Sequence, residues 1–339
     1  MEKLLTVAIP CFNSMEYMDK AIESLLHEEE DIEILIIDDG SNDYTGSIGD
    51  KYAQAYPYTI RCLHQKNGGH GEAVNCGIRY ANGLYYKVLD SDDWFDKKAF
   101  TKVMNTLRAL KQQKQTVDMF IVNYVYEKIS EQKQSVIHYR NVLPKNRIFT
   151  WHEIGHFRPQ QNLLMHSVIY RTDILRNSHL QLPKHTFYVD NLFVFQPLPY
   201  VETLYYLDVD LYRYYIGREG QSVQEKTMMK RIDQQLLVTV MMIDCMKKKY
   251  RNNSKRYAYM VKYLTMILVI SSILLIRMNT KESLEKKEEL WSYLKESKPW
   301  LYESVSHTML GFLIQLNRPV ERKILSVIYD ISQKIFGFN

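Results

Sequence analysis

At 339 residues, with 46% hydrophobic and 24% charged residues, the chain has a globular composition and enough length for one large domain or two ordinary ones, which excludes a disordered or fibrous protein. Its net charge of +5 hides a partition: from Lys226 onward 20 Lys and Arg face 10 Asp and Glu, a balance of +10, which leaves −5 before it. The four cysteines, Cys11, Cys62, Cys76 and Cys245, show no CxxC spacing, and Met1-Glu2-Lys3 does not open a secretory signal, so no disulfide or zinc framework is expected and cytosolic residence is.

Leu4 to Ile9 reads as a buried strand closed by Pro10-Cys11-Phe12-Asn13-Ser14, where Pro and Asn stop the strand and Ser14 is placed to cap the helix through Met18 and Ile22. Ile32 to Ile37 is a second strand, ending in Asp38-Asp39-Gly40-Ser41. A third, Thr59 to His64, leads through Asn67-Gly68-Gly69-His70-Gly71 into a helix, and a Gly-rich turn at a helix start offers free N–H groups to a phosphate. Tyr85 to Leu89 is the fourth strand and breaks into Asp90-Ser91-Asp92-Asp93. Strands alternating with helices imply parallel pairing with right-handed crossovers, which brings these polar ends to one edge of one sheet, where ligands bind in open α/β folds. Carboxylates crowded there repel unless a hard cation such as Mg²⁺ or Mn²⁺ neutralises them. The alternative is a solvated loop with a helix cap.

The ordered motifs Pro10-Cys11-Phe12-Asn13, Ile37-Asp38-Asp39-Gly40-Ser41, Asn67-Gly68-Gly69 and Leu89-Asp90-Ser91-Asp92-Asp93 resemble those of glycosyltransferase family 2, the inverting GT-A enzymes that use nucleotide-diphosphate sugars. The resemblance covers about the first hundred residues. It implies an α/β GT-A fold, a Rossmann-like, mainly parallel mixed sheet flanked by helices, with the catalytic domain over 1–225. Carried over by position, it places Pro10, Asn13 and Asp39 on the nucleoside, Asn67 and Gly69 on the donor, Asp90 near the ribose or donor sugar and on the metal, and Asp92 as the principal ligand of Mg²⁺ or Mn²⁺. His70 stands where the family often has a basic or small residue, so its donor contact is left open, and Asp93 is left as a helix cap or a supporting residue. About a hundred residues further on the family keeps its catalytic base, and Asp190 matches it, with Val189 in place of the frequent Glu; the alternative for Asp190 is a helix cap.

Further along, Lys97 to about Gln112 reads as a helix, Val117 to Val122 as a strand, and Ser135–Arg140 and Leu163–Tyr170 as antiparallel additions. His152-Glu153-Ile154-Gly155-His156 matches the HExxH zinc-protease pattern, but Pro159 limits any helix and no Glu lies between Glu153 and Glu202 to complete the ligand set. The resemblance implies that a small polar segment after the aromatic strand Leu204–Tyr215 closes over the donor diphosphate, with Arg213, Arg218 and Ser222 as the candidates and Arg218 entered among the donor-binding residues.

Residues 226–339 read as a basic helical region. Met229, Ile232, Leu236, Val240 and Ile243 form one stripe, and Ile324, Val327, Ile328, Ile331 and Ile335 form another. Tyr263 to Ile276, a highly apolar run of 14 residues, reads as too short for a membrane span, so a buried or interfacial helix is expected. The basic surround suits peripheral contact with the inner face of a membrane, and packing within the protein is the alternative. Taken together, the expectation is an inverting, metal-dependent transferase of cell-surface polysaccharide or glycolipid synthesis. Its donor is a nucleotide-diphosphate sugar, UDP-sugar first, and its acceptor a saccharide or lipid-linked saccharide. No nucleic-acid partner is expected, and the oligomeric state is open. An inactive sugar-nucleotide binder, a nucleotidyltransferase and a zinc protease are the competing readings.

Overall fold

The computed structural model describes residues 3–128, 133–158, 161–216, 224–252 and 254–316, and beyond these positions 318, 320–322, 325–327 and 329. The chain divides into two compact units: Met1–His156 with Leu163–Ile216, and Phe157–Asn162 with Gly217–Asn339. The first therefore ends some nine residues before the expected boundary and gives up the short segment 157–162 to the second.

Along the first unit run β1 (Leu5–Cys11), α1 (Met18–Glu23), β2 (Ile32–Asp38), α2 (Thr45–Ala55), β3 (Ile60–His64), α3 (His70–Tyr80), β4 (Tyr85–Val88), β5 (Trp94–Phe95), α4 (Lys97–Gln112), β6 (Met119–Lys128), β7 (Lys133–Ile137), β8 (Ile148–Thr150), β9 (Val168–Arg171), α5 (Thr172–Asn177), α6 (Asp190–Phe195) and β10 (Thr203–Tyr215). The ten strands form one mixed sheet in the order β3-β2-β1-β4-β9-β6-β10-β5, with β7 on β6 and β8 on β10. β1 to β4 are mutually parallel, and β9 runs antiparallel between β4 and β6. The chain moves outward from β1 to β3 and then jumps back to β4, so the strand order reverses between β1 and β4. Their carboxyl ends flank the crevice that such a reversal opens.

β1 and β2 are buried at every position, as strands covered on both faces must be. α4 shows how the sequence dictates its own packing. Asp96 caps it by accepting the Ala99 N–H at 3.0 Å, and Phe100, Val103, Met104, Leu107 and Leu110 then recur at helical spacing on its buried side. They join Leu5, Val7, Ile9, Ile34 and Ile36 in the main core. Emptying Phe100 to Ala would cost about 3–5 kcal/mol.

Several local expectations change. β1 continues through Pro10, because its ladder with β4 has already ended at Ala8 opposite Val88 and the missing N–H breaks nothing on that side. Ser14 does not cap α1, whose N-cap is Tyr17. Nor does Asp93 cap α4, since Asp96 does so. A 3-10 turn over Met165–Ser167 occupies part of the expected strand 163–170, leaving β9 with four residues. The HExxH stretch forms no α-helix: Trp151–Glu153 is a single 3-10 turn, and Glu153 is spent on the Thr150 N–H at 2.9 Å and on Arg147 at 2.6 Å. His152 and His156 therefore do not share a helix face.

The second unit is helical: α7 (Glu225–Lys230), α8 (Ile232–Cys245), α9 (Ser254–Met278), α10 (Lys281–Ser297), α11 (Pro299–Ser306) and α12 (Met309–Leu313). The apolar run 263–276 lies inside α9, which has 25 residues and not 14, because Ser254–Lys262 continue the helix ahead of it. Among the described residues α9 is the one helix long and apolar enough to cross a membrane, and 78% of its apolar 18-residue stretch is buried inside the protein. Gln235, Thr239 and Ser271 hydrogen-bond one another between α8 and α9, which suits a bundle core. Of the terminal stripe, Ile324, Ile328, Ile331 and Ile335 lie outside the described residues.

Candidate active site

Asp39, at the end of β2, is almost fully buried and both its oxygens are in use. One accepts from the Gly68 N–H at 2.9 Å and the Gln65 side chain at 2.6 Å, the other from the Gly69 N–H at 2.7 Å. It thereby holds the β3–α3 turn in place. Gly40, at φ +73°, faces that turn, where a Cβ would meet the Asn67 nitrogen at 2.8 Å. Asn13, at φ +50°, joins β1 to the same cluster: its N–H donates to Ser41 Oγ at 3.0 Å and its side-chain oxygen accepts the Asn42 N–H at 2.9 Å. Ser14 Oγ lies 2.8 Å from Ser91 Oγ and ties β1 to the acidic turn after β4. The structure thus gathers Pro10, Asn13, Asp39, Asn67, Gly69, Asp90 and Asp92 at one sheet edge. Arg218 lies outside the described residues, as does Ser222.

Gly69 does more than offer its N–H. It sits at φ +82°, and a Cβ there would meet His185 backbone atoms at 2.9 and 3.0 Å, while the His185 N–H donates to the Gly68 carbonyl at 2.7 Å. A Cβ on Gly71 would likewise meet the Pro183 carbonyl at 2.8 Å. Buried Asn75 of α3 completes the join, giving to the Leu182 carbonyl and taking the Leu182 N–H. The glycine turn is therefore the seat of the loop that leads to Asp190 at the start of α6. Asp190 is the first residue of α6, behind the N-cap Val189, and its Oδ1 accepts a long hydrogen bond from the Asn191 side chain at 3.4 Å.

Asp90 is the centre of the charge network. One carboxylate oxygen lies 2.9 Å from His70 Nε2, and the other lies 3.7 Å from His166 Nε2 and 3.3 Å from the Tyr212 hydroxyl. Burial disfavours its ionised form, but hydrogen bonds and charge from His166 and His70 hold it well below the usual carboxylate range. His70 is raised in turn, its pairing with Asp90 outweighing enclosure. Asp190 is displaced the other way: burial and the charge of Asp90 raise it against the pull of His166 and His70. Two carboxyls of one site are thus pushed apart in pKa.

Beneath them lies a layer that sequence reasoning missed. Asp93 is 1% exposed and accepts from the Tyr212 hydroxyl at 2.7 Å and the Tyr215 N–H at 2.8 Å. Burial, then the neighbouring Asp90, pushes it well above the usual range. Lys87 is fully buried in β4, and its ammonium donates to the Met165 and His166 carbonyls at 2.6 and 2.8 Å. Burial lowers its pKa to about 7 despite Asp90 and Asp93. His166 stacks on Tyr214 at 4.4 Å and meets Tyr212 edge-on at 4.7 Å, and its buried Nδ1 has no hydrogen-bond partner. A lysine inside an otherwise apolar strand is a signal the sequence does carry, whereas nothing local marks His166.

Ligand atoms of Asp90, Asp93 and His166 lie within 4.8 Å of one another, close enough to share a cation. Asp93 is buried and both its oxygens accept hydrogen bonds, whereas Asp90 and Asp92 are partly exposed at the turn, where carboxylate oxygens suit a hard cation. Arg213 is committed elsewhere, forked between Asp96 and Glu127 at 3.0 Å each.

The family model Glycosyl transferase family 2 matches residues 6–172. Glycosyltransferase GlyG of Streptococcus pneumoniae is 36% identical over 124 residues, covering 36% of this chain and 38% of the relative. Minor teichoic acid biosynthesis protein GgaB of Bacillus subtilis is 36% identical over 103 residues, 30% of this chain but 11% of the relative. The chain thus spans less than two fifths of the length of these two relatives. An uncharacterized glycosyltransferase of Mycoplasma pneumoniae is 30% identical over 227 residues, 65% of this chain and 70% of the relative. Among solved structures, TarS of S. aureus in complex with UDP-GlcNAc superposes with a TM-score of 0.71 at 17% identity, covering 97% of this chain and 92% of that one, a likeness of fold. With the GT-A-like sheet, its four motif-bearing strand ends and a relative matched over most of its length, the chain belongs to glycosyltransferase family 2.

Proposed function

We propose that the protein transfers a sugar from a nucleotide-diphosphate sugar, a UDP-sugar first, to an acceptor hydroxyl in cell-surface polysaccharide or glycolipid synthesis, with inversion at the anomeric carbon. The observation that carries this reading is the gathering of Asp39, the Gly68-Gly69 turn, Asp90 and Asp92 at one sheet edge, with the loop to Asp190 seated on that turn, and the opposed displacement of Asp90 and Asp190 accords with it. A pair of carboxyls driven apart in pKa by their surroundings is how one site holds both an ionised carboxylate and a proton acceptor. Asp190 takes the proton of the acceptor hydroxyl as its oxygen attacks the anomeric carbon, and the nucleoside diphosphate departs from the opposite face. Asp39, Asn13 and the Gly68-Gly69 turn shape the nucleoside end, and the loop seated on Gly69 presents Asp190 to the sugar.

Asp92 and Asp90 are the residues to hold Mg²⁺ or Mn²⁺, which would neutralise charge growing on the leaving diphosphate. The UDP-GlcNAc in TarS and the Mn²⁺ with GDP-Man in a Pyrobaculum calidifontis mannosyltransferase of TM-score 0.51 support a nucleotide-sugar donor and a divalent ion here. The teichoic acid biosynthesis relative supports a polysaccharide-type acceptor, and the basic C-terminal region supports peripheral membrane contact.

The test is donor turnover by the purified chain across UDP- and GDP-sugars, with Mn²⁺ or with chelator. Asp190→Asn and Asp92→Ala are expected to keep the fold and lose transfer. Full transfer by Asp190→Asn removes it as the base, and full activity in chelator removes the metal.

A further inference from the structure

A second group of metal-ligating side chains lies away from the acidic turn. Cys62 and His64 alternate on β3, and Asp50 stands on α2, with Sγ, an imidazole nitrogen and a carboxylate oxygen all within 4.8 Å of one another. His64 Nε2 lies 3.0 Å from Asp50 Oδ1. Its other nitrogen, Nδ1, lies 2.9 Å from Oδ2 of buried Asp38. That is the arrangement of metal-binding imidazoles, in which a carboxylate behind the ring fixes the tautomer and aims the remaining nitrogen. Asp38 is itself pinned, taking the Ser41 N–H at 3.0 Å on its other oxygen.

The helix carrying Asp50 comes this close because two glycines one turn apart face the cluster. A Cβ on Gly49 would meet Cys62 Sγ at 2.6 Å, and one on Gly46 would meet Asp38 Oδ2 at 2.8 Å and His64 Cε1 at 3.3 Å. Cys62 is partly exposed, as are Asp50 and His64 more fully. A thiol, an imidazole and a carboxylate form a donor set for a borderline cation and differ in kind from the oxygen ligands of the acidic turn.

We propose that Asp50, Cys62 and His64 form a second divalent-cation site of the thiolate–imidazole–carboxylate class, which takes Zn²⁺ or Co²⁺ and is separate from the donor site. Three protein ligands leave a fourth position to water or an outside ligand. Binding expels the thiol proton, so affinity rises with pH. Through Asp38 and Ser41 the ion would brace the strand-end loop that carries Asp39.

The test is a Co²⁺ titration of the metal-free full chain in saturating Mg²⁺, which occupies oxygen-rich sites. The expected result is one equivalent of Co²⁺ giving tetrahedral d–d bands and a thiolate-to-cobalt charge-transfer band, both abolished by Zn²⁺. Cys62→Ser is expected to remove the charge-transfer band. Asp50→Asn, on an exposed position, is expected to weaken Co²⁺ binding about tenfold or more at an unchanged melting temperature, the scale of losing a ligand-shell group. Asp92→Ala is expected to leave the site intact, which separates this result from any failure at the donor site. Absence of the band in the wild-type chain, or its survival in Cys62→Ser, overturns the proposal and leaves Asp38–His64–Asp50 as a hydrogen-bonded surface chain.

Discussion

His70 Nε2 lies 2.9 Å from a carboxylate oxygen of Asp90, joining the first residue of α3 to the acidic turn after β4. The pair links the two halves of the proposed donor site, because α3 also seats the loop that presents Asp190. Each histidine near Asp90 lowers the charge cost of crowding carboxylates, and each therefore biases Asp190 as well.

The acid limb of kcat/KM is expected to lie above the ordinary carboxylate value of about 3.9, because Asp190 is raised in the folded protein. His70→Ala removes a positive neighbour that holds Asp190 down, so the limb should move to higher pH. A limb that stays put would detach His70 from Asp190.

Asp190→Asn is expected to lose transfer and yet to be at least as stable as the wild type at neutral pH. A carboxyl whose folded pKa is raised contributes stability below its unfolded pKa and loses it as pH rises through the folded one, so at pH 7 the ionised wild-type group is a burden that Asn lacks. Melting curves at pH 4 and pH 7 should show the variant's advantage growing with pH.

His166→Phe keeps a ring against Tyr214 but removes both the contact to Asp90 and the buried, unpartnered Nδ1. Leaving such a nitrogen unpaired costs about 1–3 kcal/mol, so stability should hold or rise. Donor affinity should fall about tenfold, the equivalent of 1.4 kcal/mol. A parallel fall in melting temperature and affinity would assign His166 to packing alone.

Gly69→Ala is expected to cost about 1–3 kcal/mol, because φ +82° with ψ 169° is a region that other residues scarcely enter. The new Cβ also presses on His185 and moves the loop before Asp190, so kcat should drop with stability. Calorimetry and turnover on the same sample check both. Unchanged turnover in a destabilised variant would uncouple the loop from the reaction.

Arg213→Gln breaks the fork to Asp96 and Glu127, in which the arginine side chain is 18% exposed. The expected cost is about 1.5–3 kcal/mol in urea unfolding, typical of hydrogen bonds to charged groups, with donor affinity unchanged. Weakened donor binding at wild-type stability would return Arg213 to the diphosphate.

The alternation of apolar strands and helices, the helix over Lys97–Gln112 and the polar strand ends were legible from residues alone, because each element is written in consecutive positions. Asp39, Asp90 and Asp92 stand where apolar runs break, whereas Asp190, which precedes one, was singled out by its place in the family's motif order. What the linear chain could not express was decided by the order β4-β9-β6-β10, which carries Tyr212 and Tyr215 back to residues more than a hundred positions earlier. That order makes His166 a neighbour of Asp90, turns Lys87 into a buried donor to two carbonyls and removes Asp93 from the helix cap. It also gives Gly69 its second task, since the absence of a Cβ matters only once the loop at His185 has folded onto it. Such pairings depend on burial and distance across the sheet, and periodicity carries no record of either.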